Sequence, residues 1–274
     1  MTQSGDDKDR HSKIMSIMLK LSLEQRKKLQ LDMLTELDTF CKEHNLKYVL
    51  AYGTLLGAVR HSGYIPWDDD VDIIMSYNDV LYLKEHLKSE LMSVIDVKNC
   101  DYHYYAFPRL VHNGSFSIVG KNAVSHGVCI DLYVMIPFTE QKSKQIEIVN
   151  SLMPYYRLRN FFMRVQGFLM RKSKIKYFPL TVYLNRLFEA KYYKKMIDTA
   201  GKKYYIVSGP LNEFEKEIFD INILDITQVA KFENRVLNIP ADYDNILKQW
   251  YGNYMQLPPE DQRHPYHGGD YYLK

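Results

Sequence analysis

Three aspartates are the side chains best suited to chemistry in this 274-residue chain. Asp70 and Asp72 are two residues apart, so on a strand both would project from the same face. Two carboxylates on one face repel each other, and a divalent cation relieves that repulsion. Mg²⁺ prefers one or two carboxylates together with water and phosphate oxygens, so the pair predicts a magnesium site, with Mn²⁺ as a substitute ion. Asp131, in an apolar segment, is the best candidate for a third acid.

Other interpretations of these acids remain open. The acidic run 68–70 could be a solvated turn. A calcium-binding loop is rejected, because it would need a glycine where Ile73 stands and a glutamate where Asp79 stands. Asp131 could also be an ion-paired acid or an acid at a strand end.

A strand, a short helix and a second strand must position the acids. Lys47–Tyr52 predicts a strand that ends at Gly53, and Thr54–Arg60 predicts a short helix. A glycine at this point lets the backbone approach a ligand closely, and the start of a helix directs N–H groups at phosphate. Thr54 would add a hydroxyl donor. Asp70–Met75 then predicts a buried strand.

The other elements follow from periodicity and from turn residues. A capping box at Ser22 and Gln25 predicts a helix over Leu23–Glu43, and Asn78 should cap a helix that runs to about Met92. Further strands are expected at Ala106–His112, Ser115–Val119, Gly127–Val134 and Phe214–Phe219, with a short helix at Leu247–Tyr254.

Composition excludes a disordered chain, because 46% of the residues are hydrophobic and 25% are charged. The three cysteines, Cys41, Cys100 and Cys129, are far apart and predict a reducing compartment. Residues 1–13 are polar and predict a disordered tail without a signal peptide. No window of about 20 uncharged apolar residues occurs, so no membrane-spanning helix is expected. The predicted location is cytoplasmic.

Positive charge is concentrated in the middle of the chain. Residues 142–203 hold 15 lysines and arginines against three acids, although the net charge of the whole chain is only +3. These basic residues interleave with aromatic ones such as Phe161, Phe162 and Phe168, a pattern that favours peripheral contact with an anionic membrane. Nucleic acid could use the same charges, but no nucleic-acid-binding module is found, so no nucleic-acid partner is expected. A solvated helical face is the remaining alternative.

Two long motifs resemble the LicD/fukutin family. The first is YGTLLGAVRH at residues 52–61 followed by GYIPWDDDVDI at residues 63–73. The second is YGNYMQLPPEDQR at residues 251–263, with a histidine following. Together the motifs bracket about residues 23–267, while the basic middle matches no quoted motif of that family.

The resemblance implies an α/β (α+β) fold: a nucleotidyltransferase-like core with a mixed sheet, elaborated by a basic, mainly helical insertion. The core would take residues 14–141 and the insertion residues 142–203, which would face the acceptor or a membrane. Residues 204–274 would complete the catalytic domain.

The implied activity is the Mg²⁺-dependent transfer of phosphocholine, or a related alcohol phosphate, from CDP-choline or another CDP-alcohol. The acceptor would be a hydroxyl of a lipid-linked cell-surface glycan, such as a teichoic acid or lipopolysaccharide precursor, and CMP would be released. The family's site implies Gly53 and Thr54 at the phosphates, with Asp70, Asp72 and Asp131 as catalytic residues around magnesium. The segment after Asp131 lacks the further acid of other members, which argues against a fourth acidic ligand.

Four more residues are candidates for contact with the nucleotide or its phosphates, each with a structural alternative. Arg60 follows the phosphate helix but could be a surface arginine. Arg263, His264 and His267 lie in or beside the second motif and could instead form an ordinary turn. Trp67 is expected to anchor its loop rather than to contact a base or choline.

Two other functions are compatible with the same sequence. A nucleotidyltransferase that attaches the nucleotide itself and releases pyrophosphate would need nearly the same core. A non-catalytic glycan-assembly protein that kept the fold is the second, and the paired acids argue against it because a scaffold does not require them.

Overall fold

The protein folds around a mixed β-sheet. The computed structural model describes residues 19–101, 103, 105–119, 123–172, 179–207, 211–220, 222–265 and 269–274. The α-helices in these ranges are α1 Leu23–Glu43, α2 Tyr52–His61, α3 Tyr77–His86, α4 Lys142–Lys172, α5 Pro179–Met196 and α6 Tyr243–Tyr251. The strands are β1 Tyr48–Leu50, β2 Asp72–Ser76, β3 Met92–Ile95, β4 Arg109–His112, β5 Ser115–Val119, β6 Ala123–His126, β7 Cys129–Phe138, β8 Lys203–Val207, β9 Ile218–Phe219, β10 Thr227–Phe232, β11 Arg235–Pro240 and β12 Asp270–Leu273.

The central sheet has the strand order β1-β2-β7-β4-β3. Strands β2 and β7 are parallel, whereas β1 with β2, β4 with β7 and β3 with β4 are antiparallel. The ten-residue strand β7 pairs with β4 in its first half and with β8 in its second half. This mixed sheet confirms the predicted α/β (α+β) class, and α4 and α5 confirm that the basic middle is mainly helical.

Two smaller sheets flank the central one. Strands β10 and β11 form a hairpin, and β12, β5 and β6 form a three-stranded sheet. The Leu21 N–H donates to the Tyr271 carbonyl, and the Leu273 N–H donates to the Leu19 carbonyl. The segment before α1 is therefore held beside the last strand.

Several predicted elements are confirmed in the structure. Helix α1 has the predicted limits, and Ser22 and Gln25 form the capping box. Strand β5 also has the predicted limits, and β2, β4 and β7 lie within or beside their predicted segments. The predicted tail at residues 1–13 lies outside the described residues.

Other element predictions are wrong in detail. Tyr52 opens α2 rather than ending a strand, and β2 starts at Asp72 rather than at Asp70. Ser76, not Asn78, caps α3, since its side chain accepts the Asp79 N–H. That helix ends at His86, because the following chain pairs with β4 as strand β3 instead of continuing as a helix.

The C-terminal third differs most from its prediction. Leu211–Glu217 is a 3-10 helix, and only Ile218–Phe219 is a strand where Phe214–Phe219 was expected. Helix α6 begins at Tyr243 and ends before Gly252, whose φ of 65° favours glycine and stops the helix. Strand β12 and the β10–β11 hairpin were not predicted.

Candidate active site

The N-terminus of α2 is tied to the first residue of β2. The Asp72 N–H donates to the Thr54 hydroxyl oxygen at 2.8 Å, and the Ala51 N–H donates to the Asp72 carbonyl at 3.0 Å. Both Thr54 and Asp72 are buried. Thr54 therefore fixes the position of the acid-bearing strand against the helix, and its hydroxyl proton can still be donated elsewhere.

Tyr52 adopts a strained backbone at the start of α2. Its φ is 41°, in the left-handed region that bulky side chains avoid. The phenol donates to Glu217 Oε2 at 2.7 Å, and the ring packs against Tyr133 and Trp250. Strain of this kind costs about 1–3 kcal/mol and persists where the surroundings hold the residue, often at functional sites.

Gly53 is the point where an acid approaches α2 most closely. A Cβ atom at Gly53 would lie 2.6 Å from Asp68 Oδ2, so a larger residue here would force this carboxylate to shift. Burial, followed by the nearby Asp70 carboxylate, raises the pKa of Asp68 to about 7. The acidic run is therefore folded against the helix N-terminus and is not a solvated turn.

The adjoining strands bring Asp72 and Asp131 together. The two residues are partners in the parallel ladder between β2 and β7, and both are buried. Asp131 also faces Arg109 in the ladder between β7 and β4. Arg109 Nε lies 2.6 Å from Asp131 Oδ1, and its Nη2 donates to Oδ2 at 2.9 Å. Asp131 thus lies beside Asp72, and its carboxylate forms an ion pair with Arg109, one of the alternatives left open for this acid.

Arg109 is itself held in place by aromatic and imidazole groups. Its guanidinium carbon lies 3.7 Å from the centre of the Tyr105 ring, and its Nη1 lies 3.2 Å from His126 Nε2. An arginine that stacks on an aromatic ring and pairs with a carboxylate has a restricted orientation. The carboxylate of Asp131 is oriented accordingly.

Helix α1 holds the loop that carries the acids. Arg26 Nη1 lies 3.3 Å from Asp69 Oδ2, whose side chain is fully buried. Gln30 donates to the carbonyl oxygens of Asp69 at 3.1 Å and Cys129 at 3.3 Å. One helix therefore fixes both the loop before β2 and the start of β7, which carry the acids.

The second sequence motif packs against the first. Arg263 lies 5.6 Å from the centre of the Trp67 ring and donates to the Pro258 carbonyl at 2.9 Å. Arg60 donates to the Tyr254 carbonyl at 2.7 Å. The phenol oxygen of Tyr251 lies near the acids: its burial, and then Asp72, Asp68 and Asp70, raise the pKa of this residue.

The predicted nucleotide residues have different surroundings. Gly53 and Thr54 lie beside the acids, whereas Arg60 binds loop carbonyls at the other end of α2. Arg263 stacks on Trp67, which acts as the expected loop anchor. His264 is exposed, and His267 lies outside the described residues.

A magnesium site at these acids stays a prediction. Among the described residues, no three His, Cys, Asp or Glu side chains are grouped so that they could hold an ion by themselves. Mg²⁺ does not need such a group, because water and phosphate oxygens complete its shell. Asp70 and Asp72 would provide the required carboxylates, although Asp70 lies in the loop before β2 and not on the strand. Asp131 is engaged by Arg109, so its role as a metal ligand stays a prediction.

Several residues around the acids escaped sequence reasoning. Arg26, Gln30 and Arg109 contact the acids or their loop from distant segments of the chain. Local residue spacing cannot predict such contacts. Asp68 was recognised only as part of an acidic run. Its proximity to Gly53 could have been suspected, because both lie in the same motif.

The fold and the site define a nucleotidyltransferase-like domain with acids beside a helix N-terminus. Residues 45–184 match the family described as LicD/FKTN/FKRP, nucleotidyltransferase domain, and the chain belongs to this family. This confirms the resemblance seen in the two motifs.

Among curated proteins, the chain is similar over nearly its whole length to the lipopolysaccharide cholinephosphotransferase LicD of Haemophilus influenzae. The identity is 24% over 275 residues, which cover 93% of this chain and 100% of that protein. An uncharacterized protein of Rickettsia typhi is 30% identical over 132 residues, 48% of this chain and 34% of the relative. An uncharacterized protein of Rickettsia prowazekii is 51% identical over 45 residues, 16% of this chain and 17% of the relative.

Proposed function

We propose that this protein transfers phosphocholine from CDP-choline to a hydroxyl group of a cell-surface glycan and releases CMP. The observation that carries the proposal is the similarity to a lipopolysaccharide cholinephosphotransferase across the whole length of that protein. The acids at the start of α2 support it, because phosphoryl transfer depends on positioning and on charge stabilisation. Another CDP-linked alcohol would use the same core, and a lipopolysaccharide or teichoic acid precursor on a lipid carrier is the proposed acceptor.

In the proposed reaction, the acceptor oxygen forms a bond to the phosphorus that carries choline. The bond from this phosphorus to the oxygen of CMP breaks, CMP leaves with the electron pair, and the hydroxyl proton passes to a base or to water. The N–H groups at the start of α2, at Gly53 and Thr54, would bind the donor's phosphates. Thr54 keeps the helix aligned with Asp72 while this happens.

Asp70 and Asp72 would hold Mg²⁺. The ion would supply neutralisation of the charge that develops on the phosphoryl oxygens and on the leaving CMP. Asp131, fixed by Arg109, would orient a hydroxyl or a water at the edge of the acids. Arg263 and His264 would border the nucleotide pocket, together with His267, which follows in the sequence.

The proposed location is the cytoplasm. All three cysteines are free thiols, which fits a reducing compartment. Within the described part of the chain, no helix is both long and apolar enough to cross a membrane.

The decisive experiment follows products from CDP-choline and a purified glycan acceptor, with Mg²⁺ or with EDTA. We expect CMP and a phosphocholine-modified glycan with Mg²⁺, and at least a hundredfold loss for Asp72→Asn. Asp220→Asn is the matched control, because Asp220 is an 83% exposed acid on another surface and should leave the rate unchanged. Pyrophosphate as the product would establish nucleotide transfer instead. Turnover of CDP-ribitol but not CDP-choline would reassign the donor.

A further inference from the structure

The helix pair formed by α4 and α5 exposes large apolar side chains at one end. On α4, Leu158 is 46% exposed, Phe161 59% and Phe168 51%. On α5, Leu180 is 39% exposed and Tyr183 61%. We call these five residues the distal apolar face. Exposed apolar groups of this size, when clustered, mark a surface that meets another molecule or a membrane.

Helical geometry places the α4 members on the side that faces away from the protein. Gln145 and Arg159 are buried on the inner side of α4, together with Val149 and Leu152. Phe161 follows Arg159 by two residues, which is a rotation of about 200° around the helix axis. Phe168 follows Phe161 by seven residues and therefore lies along the same line. The inner side packs on the protein while the outer side carries aromatic rings.

Contacts between the two helices place the α5 members at the same end. Arg159 Nε donates to Asn185 Oδ1 at 3.1 Å, and Lys191 Nζ lies 4.6 Å from the centre of the Tyr155 ring. Residue numbers thus rise along α4 as they fall along α5, so the helices are antiparallel. Leu180 and Tyr183 precede Asn185, and they lie level with residues that follow Arg159.

The sequence of this helix pair is rich in positive charge. The 41 residues between Glu147 and Glu189 contain eight lysines and arginines and no acid. Arg157 and Arg164 are exposed on α4, seven residues apart, on the side that carries Phe161. Among the described residues neither arginine makes an ion pair or a side-chain hydrogen bond. Charge and apolar surface are therefore presented together.

We propose that the distal apolar face, with Arg157 and Arg164, docks on the surface of an anionic lipid bilayer. Leu and Phe side chains would enter the boundary between headgroups and acyl chains, while the arginines contact lipid phosphates. A nucleic acid would engage the charges but would leave the leucine side chains uncovered. The proposal does not depend on the chemistry of the site, although docking would bring a phosphocholine transferase to a lipid-linked acceptor.

The test is co-sedimentation of the full-length protein with two kinds of vesicle. One contains phosphatidylcholine alone, and the other also contains about 30% phosphatidylglycerol, an anionic lipid fraction similar to that of natural anionic membranes. We expect binding only to the anionic vesicles. Leu158→Ser/Phe161→Ser should weaken this binding at least tenfold, because two buried apolar side chains are lost. Arg157→Gln/Arg164→Gln should weaken it about 25-fold at low salt.

A control pair on another surface separates specific docking from general stickiness. Val229→Ser/Val236→Ser removes side chains that are 63% and 60% exposed on the β10–β11 hairpin, and it should leave vesicle binding unchanged. Equal loss in this control would overturn the proposal. Circular dichroism of each variant checks that the fold is retained.

Fluorescence reports whether the face enters the lipid. A tryptophan introduced by Phe161→Trp should shift its emission to the blue with anionic vesicles, measured as a difference from the unmodified protein. No shift, or full vesicle binding by the Leu158→Ser/Phe161→Ser variant, would show that electrostatics alone holds the protein on lipid and would overturn the apolar insertion.

Sedimentation velocity tests the other possible occupant of the distal apolar face, a second copy of the chain. A dimer that Leu158→Ser/Phe161→Ser disrupts would assign the face to a second copy of the chain.

Discussion

At the scale of single residues, Gly53 separates stability from activity. The missing Cβ of this residue makes room for Asp68 Oδ2, which would otherwise lie 2.6 Å away. Gly53→Ala should keep or slightly raise the melting temperature, because alanine favours a helix by about 1 kcal/mol. It should lower kcat/KM by about tenfold to a hundredfold, since the carboxylate must move. Thermal unfolding and steady-state kinetics measure the two effects.

The matched control for this substitution is Gly269→Ala. A Cβ there would make only ordinary contact with Tyr271, at 3.5 Å. It should change neither melting temperature nor rate. An active Gly53→Ala enzyme would mean that the position of Asp68 is unimportant for the reaction.

Arg109 is predicted to stabilise the fold through Asp131. Removing one partner of a buried ion pair leaves the other charge uncompensated, at about 3–5 kcal/mol. Arg109→Met should lower the free energy of unfolding by about this amount, measured by urea denaturation in EDTA. The double variant Arg109→Met/Asp131→Leu should recover most of the loss, because no charge is then left buried. A loss below about 1 kcal/mol in the single variant would contradict the ion pair.

At the scale of elements, one hydroxyl joins α2 to β2. Thr54→Val keeps the shape of the side chain but leaves the buried Asp72 N–H without its acceptor. We expect the free energy of unfolding to fall by about 1–3 kcal/mol and the rate to fall with it, because Asp72 is no longer held. Thr54→Ser keeps the acceptor and should retain most of both. Equal behaviour of the two variants would show that the bond is unimportant.

The elements also show which parts of the fold local sequence could predict. The capping box at Ser22 and Gln25 set the start of α1 correctly, because both partners lie within one turn. Tyr52 was wrongly assigned to a strand. Its left-handed backbone is held by Glu217 and Trp250, which lie far along the chain, so local sequence could not predict it. Asp131 was singled out because it lies in an apolar segment, but its position beside Asp72 and its partner Arg109 depend on the pairing of β7 with β2 and β4.

At the scale of the whole molecule, two distant motifs form one structure. Residues 52–73 and 251–263 meet where Arg60 binds the Tyr254 carbonyl and Arg263 stacks on Trp67. The family match ends at residue 184, so these contacts join the matched domain to later sequence. The basic helix pair lies between the two motifs in sequence.

Stability of the whole molecule should depend on pH through three buried groups that titrate differently. Burial lowers the pKa of His103 to about 4 and that of His126 to about 3, with Arg109 adding to the effect on both. Their folded pKa values lie below the usual value near 6.5, so the unfolded chain binds more protons as pH falls and stability is lost. The pKa of Asp68 is raised to about 7, so the folded state binds the extra proton there and stability is gained as pH falls.

These opposing pKa shifts predict how the free energy of unfolding changes between pH 6.5 and pH 5, measured by urea denaturation in EDTA. Each histidine should remove about 1–2 kcal/mol and Asp68 should return a similar amount, which leaves a net loss. Asp68→Asn eliminates the gain and should raise the loss to about 3 kcal/mol. His103→Gln keeps a donor for the Phe107 carbonyl and should bring the change close to zero. If Asp68→Asn instead left the loss unchanged, the carboxylate would be ionised in the folded protein throughout this pH range, and the raised pKa assigned to Asp68 would be wrong.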